Sequence, residues 1–386
     1  MVNNVFKPLV LLSSCLMLIV ACKKPVNTGT EHDTPEMPNT PPNYSKSSND
    51  ELAYLGRVLF YDKKMSSSNG VACASCHKQA NGFADSGPAS EGVNGQMTMR
   101  NAPPVFPKNG RLFWDGRANS LSDMVIMPIT NTVEMNSTSF DALCTELSAT
   151  SYYPKLFKSA FGSEAITKEK IRSALTEFVR NFDFSNNRFK TSMGSVSGKA
   201  LTSDENNGKD LFFGKAKCSE CHHVDPNAMG GGGNGYGITD ESHNIGLDYK
   251  SNDGGCGDIT MNNKNAKHGE FMMPVLLNIE LTAPYMHDGR LATLEDVVEH
   301  YNSKVVLSPN LDWRLKDFSD FKDLRDAKIK LDKNGDGTID EVEAPNRQAQ
   351  KLNLSDTEKA NLVKFLKTLT DKSLLTDEKF DNPFIH

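Results

Sequence analysis

The amino-acid sequence predicts a mainly α fold in two halves, with long loops between the helices, and three observations carry that prediction. Apolar residues recur at helical spacing along much of the chain, while the alternation expected of strands is scarce. The pattern C-x-x-C-H occurs twice, as Cys73, Cys76 and His77 in GVACASCHKQANG and as Cys218, Cys221 and His222 in KCSECHH, 145 residues further on. The connecting segments are rich in Gly and Pro.

The N-terminus reads as a leader. Lys7 precedes a fifteen-residue apolar run, PLVLLSSCLMLIVAC, which is too short to span a bilayer and suits a signal-peptide core. Its end, Ile19-Val20-Ala21-Cys22, resembles the bacterial lipobox, in which the cysteine is lipidated and becomes the first mature residue. Residues 1–21 are therefore expected to be removed, leaving Cys22 as a lipid anchor in the periplasm or cell envelope. Residues 22–49 are polar and hold Pro25, Pro35, Pro38, Pro41 and Pro42, the composition of an extended tether.

The body divides at about residue 190, where SNNRFKTSMGSVSGK is polar and rich in small residues, giving an N-terminal half over 50–190 and a C-terminal half over 191–386. Helices are predicted after residues 137–139 (Phe140, Leu143, Leu147) and after Thr167 (Ile171, Leu175, Phe178, Phe182). Thr202 with Glu205 and Ser355 with Glu358 form capping boxes that open helices running to Phe213 and Leu369. Leu294, Val297, Val298 and Tyr301 share one helical face after Thr293. The glycine run Gly230–Gly237 follows no strand and opens no helix, so it reads as a loop and not as a phosphate cradle. A net charge of -6 with no long Lys/Arg run argues against a nucleic-acid partner.

The repeated motif carries chemistry. Two thiols three residues apart can each add to one haem vinyl group, and the histidine that follows reaches the iron. Zinc and thioredoxin-like sites also use C-x-x-C, but zinc pairs sit about 15 to 20 residues apart and neither use calls for a histidine after both pairs. Two covalently bound haem c groups are expected. Outside the leader, Cys144 and Cys256 remain, either as a disulfide or as two separate thiols.

The stretches LFYDKKMSSSNGVACASCH, RNAPPVF, LFWDGRA, VEMN and LTAPYMHDGRLATLEDVVEHYN, spread from about Asp50 to Leu369, resemble the bacterial dihaem cytochrome c peroxidase and MauG family. The resemblance implies two cytochrome c-like haem domains packed face to face. The first haem would reduce hydrogen peroxide, and the second would receive electrons from a small cytochrome c or cupredoxin. By the same likeness Glu134 matches the acid-base over the open iron face, Trp114 the relay between haems, and Asn101, Thr282 and the Pro284 carbonyl the ligands of an inter-domain calcium. Tyr301, fourteen residues after His287, stands where MauG has a tyrosine ligand to the second iron and the peroxidases have methionine. Val93 replaces the loop histidine that caps the first iron in many peroxidases, and Met124 replaces a pocket glutamine. Met97, Met99 and Met124 are candidate thioethers for the first iron, and Met272, Met273 and Met286 for the second.

One feature lies outside the family pattern. DKNGDGTIDEVE, residues 332–343, fits an EF-hand calcium loop, with oxygens from Asp332, Asn334, Asp336, the Thr338 carbonyl, Asp340 through water, and Glu343, and with Gly337 at the turn. Pro345 and the lack of a second loop suggest a structural clip. Two other functions compete with the peroxidase: a MauG-like oxidase acting on a protein substrate, and a dihaem electron carrier without catalysis.

Overall fold

The structure, a computed structural model, describes residues 48–108, 110–184, 186–194, 200–222, 241–258, 268–320 and 347–384. The leader, the anchor Cys22, most of the tether, the run Gly230–Gly237 and the EF-hand-like loop lie outside the described residues.

Helices dominate, and one short antiparallel pair of strands, β1 (Ser242–His243) and β2 (Phe271–Met272), aligns His243 with Phe271. In chain order the helices are α1 (Ser48–Tyr61), α2 (Cys73–Cys76), α3 (Leu121–Met124), α4 (Met127–Thr130), α5 (Phe140–Ser148), α6 (Tyr153–Phe161), α7 (Lys168–Arg180), α8 (Arg188–Gly194), α9 (Ser203–Phe213), α10 (Leu294–Glu299) and α11 (Asp356–Lys367). Helices α5 and α7 start where predicted, with Ser139, the last of residues 137–139, and Thr167 capping them through their side-chain oxygens, and capping boxes open α9, α10 and α11.

Each motif is approached by the same device. Helix α1, ahead of the first motif, crosses α7 at Gly56, where a Cβ would meet the Ala174 carbonyl oxygen at 2.0 Å; α9, ahead of the second, crosses α11 at Gly208, where a Cβ would meet the Asn361 oxygen at 1.9 Å. Only glycine permits these backbone approaches. One apolar cluster surrounds the first crossing (Leu55, Val58, Leu59, Ile171, Leu175, Phe178), and a second surrounds the other (Phe189, Phe212, Leu362, Phe365, Leu366). Phe189, close to the expected division of the chain, packs in the second cluster, against Phe365.

The C-terminal tail does not stay with the second cluster. Leu374 and Phe380 pack in the first, Arg57 pairs with Asp381, the Tyr61 hydroxyl donates to the Phe380 carbonyl at 2.6 Å, and Gln79 Nε2 donates to the Leu374 carbonyl at 2.9 Å. Among the described residues no helix is long and apolar enough to cross a membrane.

Candidate functional site

The first C-x-x-C pair forms α2, with the Ala72 amide donating to Ser75 Oγ at 3.0 Å and the His77 amide to the Cys73 carbonyl at 2.9 Å. The His77 ring is half-buried, and its Nδ1 lies 3.0 Å from the Phe83 carbonyl, so Nδ1 carries the proton and Nε2 is left for a metal. Burial pushes the imidazole pKa down, against the pull of the Phe83 and Pro103 carbonyls, which favours the neutral ring that iron requires. Sequence reasoning had no signal for this orienting group, because a backbone carbonyl has no residue identity.

Glu134 enters this site from the turn after α4. Its amide donates to Asn131 Oδ1 at 3.2 Å, and the Val93 amide donates to the Val133 and Glu134 carbonyls, both at 3.1 Å. Its carboxylate is within electrostatic reach of the thiols of Cys73 and Cys76. Burial raises the Glu134 pKa and the nearby Arg117, a neighbour the sequence did not flag, pulls it back. Val93 is 1% exposed and packed. Met97 and Met99 are exposed, and Met124 packs against the first apolar cluster.

Trp114 sits on a loop between the motifs. Its Nε1 donates to the Asn101 carbonyl at 2.9 Å, and its own carbonyl accepts from the Met272 amide at 2.7 Å. Arg100 closes the loop, reaching Asp115 at 2.5 Å and Asp253 through two bonds of 2.6 and 2.7 Å. The Asn101 amide donates to the His287 carbonyl at 2.8 Å and its Nδ2 to the Gly87 carbonyl at 2.8 Å, while Pro284 packs beside Gly289 and Pro88. Asn101 and the stretch from Thr282 to Pro284 therefore share one neighbourhood.

At the second motif, Lys217 takes a left-handed conformation before the turn Cys218–Glu220, and the His222 amide donates to the Cys218 carbonyl at 2.8 Å. Tyr301 does not continue α10 as an α-helical residue: α10 ends at Glu299, and residues His300–Lys304 form a π-helical turn. Such turns are frequent at functional sites. The phenol is within electrostatic reach of Cys218 and Cys221, burial pushes its pKa up, and its hydroxyl makes no hydrogen bond to another described residue. Met272 and Met273 are buried, and Met272 packs on Gly116. Cys144 and Cys256 are two separate thiols, and the four motif cysteines are free.

This donor set fits haem c. Each motif offers thiols free of disulfides, His77 keeps Nε2 available, and the Tyr301 oxygen lies near the second motif without a hydrogen-bond partner among the described residues. A sequence profile of the di-haem cytochrome c peroxidase family matches residues 50–196. Methylamine utilization protein MauG of Methylorubrum extorquens is 36% identical over 273 residues, covering 69% of this chain and 73% of that protein. The chain belongs to the dihaem cytochrome c peroxidase family.

Cytochrome c551 peroxidase of Nitrosomonas europaea is 34% identical over 253 residues, covering 65% of this chain and 72% of its own. A solved MauG-like protein associated with microbial copper homeostasis superposes with a TM-score of 0.67 at 30% identity, covering 92% of this chain and 98% of that one. The protein is an oxidoreductase of the cytochrome c peroxidase type, and its family implies two haem c groups.

Proposed function

We propose that the protein reduces hydrogen peroxide to water at the first haem, with electrons that an external donor, such as a small cytochrome c or cupredoxin, delivers through the second. One observation supports this above others: the Glu134 carboxyl, its pKa raised by burial, lies close enough to both thiols of the first motif for its charge to be felt there. Turning H2O2, two protons and two electrons into two waters needs a group that takes a proton from one peroxide oxygen and returns it to the leaving one. Glu134 would do this, His77 would hold the iron through its ring nitrogen, and Trp114 would pass electrons between the halves. Haem c, when bound, supplies the redox-active iron at which peroxide is reduced.

Val93 offers no ring nitrogen, and no histidine lies between His77 and His222. The fully oxidised protein should therefore react with peroxide without prior reduction. Stopped-flow mixing of ferric protein with peroxide tests this: an immediate change in haem absorbance is expected, and silence until one electron is added would overturn the reading.

A MauG-like oxidation of a protein partner is the second reading, favoured by Tyr301 on its π-turn beside the second motif. Calcium held by Asn101, Thr282 and Pro284, and by the loop 332–343, braces the body, and Cys22 tethers it by lipid outside the cytoplasm.

A further inference from the structure

Two buried tyrosines near the first motif have no part in the chemistry above. Tyr152 and Tyr153 are 1% and 0% exposed, and both hydroxyls donate to the same oxygen, Asp62 Oδ2, at 2.5 and 2.8 Å. Their rings lie 4.6 Å apart. Asp62 is itself 6% exposed; its other oxygen accepts from the Lys64 amide at 2.8 Å, and it forms no ion pair with a described Lys or Arg. Helix α1 delivers both features, since α2 and α6 pack on it and Asp62 follows its last residue. Tyr153 and Cys73 belong to one apolar cluster and lie within electrostatic reach of each other.

The arrangement differs from the other aromatic donors. Tyr61 and Tyr285 donate to the carbonyls of Phe380 and Ile279, and Trp114 to that of Asn101, none of which accepts a proton at neutral pH. A carboxylate does. Burial, and then the charge of Asp62, pushes both phenol pKa values up, so these hydroxyls stay protonated and lose an electron readily only when the proton can leave with it. The rings next to the pair are Phe157 and Phe384, which carry no hydroxyl. The pair therefore ends a route and does not continue one.

We propose that Tyr152 and Tyr153, with Asp62 as their shared proton acceptor, form an oxidisable pair that takes an oxidising equivalent from the first haem when no electron donor is at hand. Tyr153 gives one electron to the peroxide-oxidised haem centre and its phenolic proton to Asp62 Oδ2. The products are a neutral tyrosyl radical, a protonated Asp62 and a haem centre reduced by one electron. A later electron from the donor, with the proton returning from Asp62, restores the phenol. The pair protects the protein during peroxide excess by holding the oxidation at a known place.

This rests on the proposed reaction of peroxide at the first haem, and the test reads the two separately. Holoprotein is mixed with hydrogen peroxide without donor, haem absorbance is followed, and samples frozen at set times are examined by EPR, with and without ring-deuterated tyrosine. A free-radical signal that sharpens on deuteration is expected. It should fall by about tenfold or more in the Tyr152→Phe/Tyr153→Phe double variant and in Asp62→Asn, where an amide of similar shape still accepts hydrogen bonds but is a far weaker base. Spin-trap adducts should map by mass spectrometry to the peptide containing residues 152 and 153. If haem absorbance changes while the signal is missing, insensitive to deuteration or unaltered in the variants, the pair is structural and the peroxide reading stands. A lowered melting temperature with unaltered radical yield likewise makes the pair structural. If haem absorbance does not change, both readings fall.

Discussion

Trp114 joins two distant parts of the chain: its indole nitrogen donates to the Asn101 carbonyl at 2.9 Å, and its carbonyl accepts from Met272, in β2, at 2.7 Å. The indole N–H faces an acceptor that cannot take its proton, so an electron can pass through the ring without proton movement. Trp114→Phe keeps most of the packing and removes the easily oxidised ring. Steady turnover with an external donor should drop by about tenfold or more, equivalent to at least ~1.4 kcal/mol of barrier. The single-turnover reaction of ferric protein with peroxide should be unaltered. Equal losses in both measurements would place Trp114 in the packing alone.

On the proposed reaction, Glu134 would set the pH dependence of peroxide reduction. Burial raises its pKa above the usual carboxylate range, and Arg117 restrains the rise. The base form is needed, so the rate should fall as pH drops through that raised value, earlier than for a solvent-exposed glutamate with pKa about 4.3. Arg117→Ala removes the restraining charge and should move this limb to higher pH. Glu134→Gln should abolish the limb and slow the reaction by roughly 10²-fold or more. Stopped-flow rates across pH are the measurement, and a limb that ignores Arg117→Ala would assign it to another group.

Much of this architecture was legible because it depends on short-range chemistry. Thr167, Ser139 and the pairs Thr202–Glu205 and Ser355–Glu358 mark helix starts through bonds to the next turn, and covalent haem attachment demands a set spacing in C-x-x-C-H. What was hidden depends on distant partners. Gly56 in α1 weakens a helix by propensity, yet it is required because the Ala174 backbone lies against it. The return of Phe380 to Phe182 spans about half of the chain. Tyr301 continues the apolar face of α10 in a helical projection, but the π-turn at His300–Lys304 takes it out of α-helical phase. The pairing of Asp62 with Tyr152 and Tyr153 joins residues some ninety positions apart, beyond any local pattern.

Tyr301 is expected to hold the second iron through its oxygen, which favours the ferric state. Tyr301→Met supplies a thioether in its place and should raise that haem's potential by roughly 0.1 V or more, a part of the about 0.8 V over which axial ligands act. Potentiometric titration followed by absorbance reads this directly. An unaltered potential and spectrum would show that the phenol only packs against the apolar clusters around it, one of them Val305, Leu311 and Leu315.

Calcium removal should lower thermal stability, because the ion binds the folded chain and not the unfolded one. Two sites would contribute, so Asp332→Ala with Glu343→Ala is needed to isolate the loop 332–343. The double variant should bind one calcium fewer by metal analysis and melt at a lower temperature. Calcium content equal to the parent's would reduce the loop to an acidic turn.

Arg100 governs stability around the Trp114 loop. Its guanidinium is 16% exposed and binds Asp253 with two bonds, while its third arm shares Asp115 with Arg117. Removing one partner of such a partly buried set leaves carboxylates under-compensated, so Arg100→Ala should cost about 1–3 kcal/mol. Arg100→Lys should recover only part of this, because an ammonium cannot reproduce the two-bond fork. Burial alone would raise the Asp253 pKa, but the bonds from Arg100 outweigh it and hold the carboxyl below its usual range. A depressed folded-state pKa gives stability that is present above the unfolded value, about 3.9, and is lost as pH falls through the folded one. Denaturant unfolding of parent and Arg100→Ala should therefore differ fully at pH 7 and progressively less below about pH 4. A difference that does not shrink in acid would mean that Arg100 acts by filling space over Phe271, whose ring centre lies 5.6 Å from its guanidinium carbon, and not by charge.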